Sequence, residues 1–150
     1  MIYSQIRNLW DCTSLKEIFK SHGFYYEAHL NIIVNLSSGE QRLWAGINPK
    51  RKNEIRKSQI EGTKFRIGNS IDDLSDCYTI LKSVYKRAKL PVPPYDYFKA
   101  LFLKSGENYG IKIFCAVYEE RIIGCMIALV FKDVIYDYYA GANIEFYNKH

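Results

Sequence analysis

The sequence contains little of what marks secreted or membrane-spanning proteins. Its opening stretch, Met1–Trp10, mixes polar and apolar residues and has no apolar core of a signal peptide. No apolar run approaches the ~18 residues that cross a bilayer. The longest run, Ile122–Phe131, has the length of a strand. We therefore predict a cytoplasmic protein without a membrane span.

Cysteine and histidine are also scarce, and their spacing is not that of metal ligands. The 4 cysteines form no Cys-x-x-Cys pair, and two of them, Cys115 and Cys125, stand among apolar residues. The 3 histidines include the last residue of the chain. These patterns predict no metal site and reduced, mostly buried thiols.

The composition is otherwise that of a globular protein, and its positive charge is local. The 150 residues are 48% hydrophobic and 25% charged, which suits one domain with a core of its own. The formal net charge is +5, from 21 basic and 16 acidic residues. The segment Lys50–Arg66 holds seven basic and two acidic residues and so accounts for the whole excess. This indicates one basic patch rather than a uniformly basic surface.

The first part of the chain predicts a short helix followed by a long strand. Ser14 and Glu17 have the spacing of a capping box, and Gly23 follows as a helix stop. Over Phe24–Leu36, apolar residues alternate with mostly polar ones, a period typical of a strand with one buried face. We predict that residues 1–36 form this helix and strand and that residues 37–150 form a single structural unit.

Helix signals dominate the segment that follows. Asn48 precedes a proline at the first position of a predicted helix, Pro49–Glu61, which carries most of the basic patch. A short strand, Thr63–Ile67, comes next. Ser70 then begins an amphipathic helix with apolar residues at i, i+3, i+4 and i+7, and a further helix is predicted over Tyr95–Lys104.

The last part of the chain predicts a β-meander. Three strands are joined by connections of two residues each, and such short connections permit antiparallel hairpins only. The strands are Ile111–Tyr118, Arg121–Phe131 and Val134–Ala140. Helices packed on a mixed sheet are the simplest way to bury these apolar faces.

Several residue runs occur in an order found in a known family. They are Leu30–Leu36, Leu43-Trp44, Lys50–Ser58, Gly62, Leu90-Pro91 and Tyr138–Ala142. Together with the order of helices and strands, they resemble the GNAT-type acyltransferases and, more narrowly, the Fem-type aminoacyltransferases and their acetyltransferase-like relatives. The resemblance covers about Gly23–Tyr147. It implies a mixed α/β (α+β) fold with a GNAT-like sheet, a β-meander and packed helices.

The resemblance also implies an activity and its partners. The expected reaction is transfer of an acyl or aminoacyl group to an amine, with acyl-CoA (acetyl-CoA) or aminoacyl-tRNA as the donor. The expected acceptor is a small-molecule amine or a cell-wall or glycan amine, and tRNA is an expected partner. In the family, the strand matching Val134–Ala140 leads into a helix whose N-terminal amides hold the donor's pyrophosphate. Because the chain stops at His150, we expect a truncated form of the fold.

Five cations on the predicted basic helix are candidate phosphate ligands. Cations four residues apart share a helix face, and their repulsion is relieved by a bound anion. The phosphates of coenzyme A or tRNA would fit that role. A solvated helix face, balanced by nearby glutamates, is an equally good explanation. The five residues are Lys50, Arg51, Lys52, Arg56 and Lys57.

The last predicted strand carries the candidate catalytic groups. Acyl transfer to an amine needs a proton acceptor and a donor for the leaving group. Asp137 is the candidate acceptor, and the hydroxyl of Tyr138 or Tyr139 is the candidate donor. Regular alternation would put Asp137 and Tyr139 on one face of the strand and Tyr138 on the other. Tyrosines that fill a half-buried sheet face are the alternative explanation.

The turn after this strand is a candidate substrate contact. Gly141 would let a ligand approach the backbone closely, and Asn143 would lie beside it. An ordinary strand-to-helix turn, capped by Asn143, explains the same residues.

Two other functions remain open from the sequence. One is a binding module that uses the basic helix on a polyanion such as nucleic acid. The other is a non-catalytic, truncated GNAT-like module that forms a homodimer through an exposed sheet edge.

Overall fold

The computed structural model describes residues 4, 6 and 11–149, with side chains described as far as residue 146. The chain divides into two compact units, Met1–Gly46 and Ile47–His150.

In the first unit, the helical segments are short. A 3-10 turn, Thr13–Leu15, leads into α1, Lys16–Ser21, and a second turn, Leu36–Ser38, precedes α2, Glu40–Gly46. The predicted capping box at Ser14 is wrong. The helical turn already begins at Thr13, whose backbone amide and hydroxyl both donate to Oδ1 of Asp11.

The predicted strand Phe24–Leu36 is also wrong. Residues 24–35 have no regular secondary structure, and Leu36 begins the second 3-10 turn. Alternation shows only that one face of a segment is apolar. A strand also needs a neighbouring strand to satisfy its backbone, and in the described part of the chain this segment pairs with none.

The second unit contains three helices and four strands. The helices are α3 (Pro49–Ile60), α4 (Ile71–Ala88) and α5 (Tyr95–Leu103). The strands are β1 (Lys64–Gly68), β2 (Tyr109–Tyr118), β3 (Arg121–Phe131) and β4 (Val134–Ala142). A 3-10 turn, Ile144–Lys149, follows β4. The predicted start of α3 is confirmed, because the Asn48 side chain accepts from the Lys50 amide at 2.9 Å.

The four strands form one antiparallel sheet in the order β1-β2-β3-β4. The predicted meander and the mixed α/β fold class are confirmed, whereas the expected mixed sheet is wrong, because every pairing among the described strands is antiparallel. The β2–β3 connection consists of Glu119 and Glu120, both with positive φ, which is the backbone of a tight hairpin turn. Between its ends β3 is buried or half-buried on both faces, as its apolar sequence predicted.

The core lies between one face of the sheet and the helices α4 and α5. We call this the helix face and the opposite side the outer face. α4 contributes its predicted apolar stripe, and Phe98 is the fully buried residue of α5. Every second residue of β2 from Ile111 to Val117 meets these helices. The buried α4 residues in this cluster are Leu74, Cys77, Ile80 and Leu81.

Three of the four cysteines meet inside this core, and we call them the thiol trio. Sγ of Cys77 lies 3.9 Å from Sγ of Cys115, and Sγ of Cys125 lies 3.6 Å from the Cys77 carbonyl oxygen. All three are reduced and buried, as predicted. Burial raises the pKa of the Cys115 thiol to about 12, so this thiol stays protonated at neutral pH.

One ion pair joins β1 to the start of α4. Ser70 and Asp73 form a reciprocal capping box, and the Asp73 carboxylate also accepts from the Asn69 amide. Arg66 of β1 donates to the same carboxylate at 2.5 Å. The Arg66 hydrogen bond, followed by those from Asn69 and Ser70, holds the pKa of Asp73 far below its usual range despite partial desolvation.

Replacing Asp73 with asparagine should therefore destabilise the fold in a pH-dependent way. We expect a loss of about 2 kcal/mol at pH 7, kept modest because Arg66 is nearly half exposed and solvent screens the pair. A lowered folded-state pKa means that the carboxylate stabilises fully above about pH 4 and progressively less as pH falls through the folded-state value. Urea unfolding at pH 7, 4.5 and 3 should show the two proteins converging toward acid. Asp72→Asn, at an exposed position in the same helical turn, should change little.

Candidate active site

A β-bulge interrupts the tyrosine-rich stretch of β4. Two consecutive residues of β3 pair with Tyr139 and Asp137, so Tyr138 is the extra residue between them. Tyr136, Tyr138 and Tyr139 consequently all lie on the helix face, whereas Asp137 lies on the outer face. The predicted alternation, with Asp137 and Tyr139 on one face, is wrong because the bulge shifts the period by one residue.

The bulge gathers tyrosines from three elements into what we call the tyrosine cluster. Ring centroids lie 4.5 Å apart for Tyr138 and Tyr139, and 5.2 Å apart for Tyr139 and Tyr85. The Phe98 ring stands perpendicular to Tyr139 at 5.3 Å and supports it from below. The members of the cluster are Tyr85 of α4, Tyr97 of α5, and Tyr136, Tyr138 and Tyr139 of β4.

One pair of hydroxyls in the cluster joins α5 to β4. The oxygens of Tyr97 and Tyr138 are 3.1 Å apart. Burial, and then the hydrogen bond with Tyr97, raises the pKa of Tyr138 well above its usual range. Tyr138 therefore keeps its proton at neutral pH and can act as a hydrogen-bond donor. The sequence did not reveal Tyr97 as a partner, because its spacing on the apolar side of α5 predicted only burial.

The other predicted catalytic group, Asp137, is separated from the tyrosine cluster. Its cross-strand partner is Ala128, and its side chain is exposed on the outer face. The structure therefore brings Tyr138 and Tyr139 together and leaves Asp137 on the opposite side of the same strand.

Gly141 and Asn143 lie where β4 ends, and each has a packing role. A Cβ on Gly141 would stand 3.1 Å from Cγ2 of Val84 and 3.4 Å from Ile80 and Leu81, so the missing side chain makes room for α4. The Asn143 amide donates to the Ile123 carbonyl at 2.8 Å, and its Oδ1 accepts from the Glu145 amide at 3.1 Å. Asn143 thus caps the turn after β4.

The basic helix α3 is partly neutralised by its own acids. Arg51 pairs with Glu54 at 2.6 Å, and Lys57 approaches Glu61 at 3.8 Å. No residue of α3 is buried. Lys50 and Lys57 lie on one helix face, where with Asn53 and Glu54 they line a shallow open groove. Arg66, counted in the basic patch, is neutralised by Asp73 of α4.

Comparison with known proteins identifies the family. A family model for the acetyltransferase (GNAT) domain matches residues 49–150, which is more than half of the chain.

The chain belongs to the GNAT acetyltransferase family. Among solved structures, it is similar to an aminoglycoside acetyltransferase from an uncultured soil metagenomic sample, determined in complex with sisomicin. The TM-score is 0.43 and the sequence identity is 15%, over 57% of this chain and 59% of that one. The chain thus spans less than two thirds of that acetyltransferase. No curated protein matches the sequence.

GNAT acetyltransferases use acyl-CoA donors. Near the end of β4, the outer face carries the small residues Ala116, Gly124 and Ala142, and Met126 lies opposite Ala140. A Cβ on Gly124 would meet Ala116 and Ala142 at no less than 3.7 Å, and Ala140 beside them is exposed.

The basic helix ends at the same end of the sheet as β4. Gly62, just past α3, stands over the Tyr118 ring, with 3.8 Å between that ring and a Cβ placed on the glycine. The centroid of the Tyr118 ring is also 6.2 Å from that of Phe146 in the turn after β4. Tyr118 therefore links the end of the GNAT domain's basic helix to the end of the strand that carries the candidate groups.

Among the described residues, no group of three or more histidine, cysteine or acidic side chains is placed to hold a metal ion. Within the same residues, no helix is both long and apolar enough to cross a membrane.

Proposed function

We propose that this GNAT domain transfers an acyl group from acyl-CoA to an amine. The match to the GNAT family over residues 49–150 is the observation that carries the proposal. Lys50 and Lys57 would contact the donor's phosphates, with Arg51, Lys52 and Arg56 on the same helix. Gly141 and Asn143 would border the acyl group.

Within this proposal, two groups on β4 handle protons. The amine nitrogen attacks the thioester carbonyl, the carbon–sulfur bond breaks, and the amine loses a proton while the thiolate gains one. Tyr138, which stays protonated and is hydrogen-bonded to Tyr97, is the proposed donor, with Tyr139 packed against its ring. Asp137 is the proposed acceptor. Because Asp137 and Tyr138 lie on opposite faces of β4, one bound thioester cannot contact both, and comparison of Asp137→Asn with Tyr138→Phe decides which face carries the reaction.

The proposal is tested by binding and turnover of the full chain. Acetyl-CoA at millimolar concentration should shift the amide signals of β4 in nuclear magnetic resonance spectra. Addition of amino sugars, aminoglycosides or lysine peptides should then release free coenzyme A. A chain that binds neither acetyl-CoA nor coenzyme A would refute the proposal and leave the non-catalytic module as the explanation of the fold.

Replacing Tyr138 with phenylalanine should lower kcat by about 10–100-fold with little change in KM, because the proton donor is lost while the ring remains. Tyr109→Phe, at an exposed position at the start of β2, is the matched control and should retain full activity. Equal activity of the Tyr138 and Tyr109 variants would remove Tyr138 from the mechanism.

A Fem-type reaction, with aminoacyl-tRNA as the donor and a cell-wall or glycan amine as the acceptor, is a narrower form of the proposal. The basic helix α3 supports it, because its lysines and arginines can neutralise tRNA phosphates. Binding of that kind is strongly salt-dependent. Binding of charged tRNA that weakens steeply between 50 and 200 mM salt, and that competes with coenzyme A, would favour this donor. A homodimer formed through a free sheet edge, β1 or β4, is part of the non-catalytic alternative.

A further inference from the structure

The hydroxyl contact between α5 and β4 joins two tyrosines in different surroundings. Tyr97 is 40% exposed, whereas Tyr138 lies half-buried at the β-bulge. Their hydroxyl oxygens are 3.1 Å apart. A tyrosine as exposed as Tyr97 can satisfy its hydroxyl with water, so burial of Tyr97 does not require this contact. The half-buried hydroxyl of Tyr138 is the one that gains a fixed partner.

Neighbouring rings hold both tyrosines in place. The Tyr138 ring packs edge-on against Tyr139, with the centroids 4.5 Å apart. The Tyr97 ring stands perpendicular to that of Phe98, the buried residue of α5, at 5.4 Å. A phenol oxygen lies on the axis of its ring, so a fixed ring leaves only the O–H bond free to rotate. The direction of the Tyr138 O–H bond therefore depends on the hydroxyls beside it, above all that of Tyr97.

The Tyr97 hydroxyl can partner Tyr138 both before and after a proton transfer. A phenol hydroxyl donates one hydrogen bond and accepts up to two. While Tyr138 holds its proton, it can donate to the Tyr97 oxygen, and burial followed by this hydrogen bond raises the pKa of Tyr138. In the acyl transfer, the Tyr138 O–H bond breaks as a sulfur–hydrogen bond forms on the departing coenzyme A. The Tyr138 oxygen can then accept from Tyr97, which stabilises the phenolate until water in contact with Tyr97 returns the proton.

We propose that Tyr97 is a positioning residue, which directs the Tyr138 hydroxyl toward the departing sulfur and passes protons between Tyr138 and solvent. This role rests on the proposed acyl transfer and puts that reaction on the helix face of β4. Tyr97 contacts neither the thioester nor the amine and acts through Tyr138 alone. Each turnover then requires α5 to stay against β4, because each element supplies one of the two hydroxyls.

Steady-state kinetics of the full chain test this role. Tyr97→Phe should lower kcat per folded molecule by about five- to tenfold with KM unchanged, because the ring stays and only the hydroxyl is lost. In a Tyr138→Phe background the same change should have no further effect, since the hydroxyl that Tyr97 directs is absent. An unchanged kcat of the folded Tyr97→Phe protein would reduce the contact to a structural one and overturn the proposal. An equal loss of kcat in both backgrounds would also overturn it, because Tyr97 would then act independently of Tyr138.

Nuclear magnetic resonance supplies a second test that needs no turnover. In protein labelled at the tyrosine Cζ carbon, Tyr97→Phe should shift the Tyr138 resonance, because the hydrogen bond at its oxygen is lost. Tyr95→Phe, on the same helix, is the matched control and should leave both this resonance and kcat unchanged. Within the part of the chain that the structure describes, the Tyr95 hydroxyl has no hydrogen bond. A Tyr138 resonance that does not respond to Tyr97→Phe would overturn the proposal. Failure of the acyl-transfer proposal would appear differently, as a wild type that turns over no amine.

Discussion

Replacing Phe98 with alanine should lower the free energy of unfolding by about 4 kcal/mol. Phe98 is fully buried, and its ring contacts those of Tyr78, Tyr97 and Tyr139 at centroid distances of 5.3–5.9 Å. The substitution leaves a cavity where α5 meets the sheet, and neighbouring aromatic rings cannot close it without leaving their own contacts. Urea or thermal unfolding of the full chain measures the loss.

The control for this substitution is Phe131→Ala, at the end of β3. Phe131 is 67% exposed, so its removal should cost less than about 1 kcal/mol. The Phe98 variant should also lose activity beyond its loss of folded protein, because Tyr139 and Tyr138 lose the ring that supports them. Similar costs for the two alanine variants would mean that α5 does not pack on the sheet as described.

The second large effect is expected at the end of β4, where Gly141→Val should destabilise the fold by about 3 kcal/mol. The first added carbon already lies 3.1 Å from Val84 and 3.4 Å from Ile80 and Leu81, and two further methyl groups have no space. α4 would have to move away from the sheet. Chemical denaturation provides the measurement.

Gly124→Ala is the matched control for Gly141, one strand away. A Cβ at Gly124 meets its nearest atoms at 3.6–3.7 Å, an ordinary contact, so this variant should be neutral or slightly stabilising. A mild effect of Gly141→Val would indicate that α4 does not lie against this glycine. In that case packing against α4 would not explain the glycine at position 141, and contact with a ligand would remain as its explanation.

Sequence patterns predicted the second unit well because its signals are local. The period of the apolar residues in α4, the Ser70 capping box and the two-residue hairpin connections each depend on neighbours in the chain. The strand predicted over Phe24–Leu36 failed because alternation describes a face and not a pairing partner. Whether a segment joins a sheet depends on contacts with residues distant in the chain, which a local pattern does not reveal.

The sequence selected candidate catalytic residues but did not predict how they are arranged. Asp137, Tyr138 and Tyr139 were selected from their order in the chain, and all three lie on β4. The bulge at Tyr138 then separated Asp137 from the tyrosines, and no residue type in the stretch marks such a bulge. The hydroxyl contact between Tyr97 and Tyr138 spans 41 positions in the chain, which local patterns cannot anticipate.

The reactivity of the thiol trio reports when the core of the domain opens, and it can be followed by absorbance. A bulky aromatic disulfide reagent reacts only with accessible thiolates. Cys77, Cys115 and Cys125 are buried and therefore do not react while α4 remains packed on the sheet. Cys12, which is half-buried, would react first and can be replaced by serine. The slow rise in absorbance that remains then measures how often α4 separates from β2 and β3, and no label has to be attached. If this rate under native conditions exceeds the rate of global unfolding, α4 separates from the sheet in a sub-global event. If the two rates are equal, α4 separates only when the whole GNAT domain unfolds.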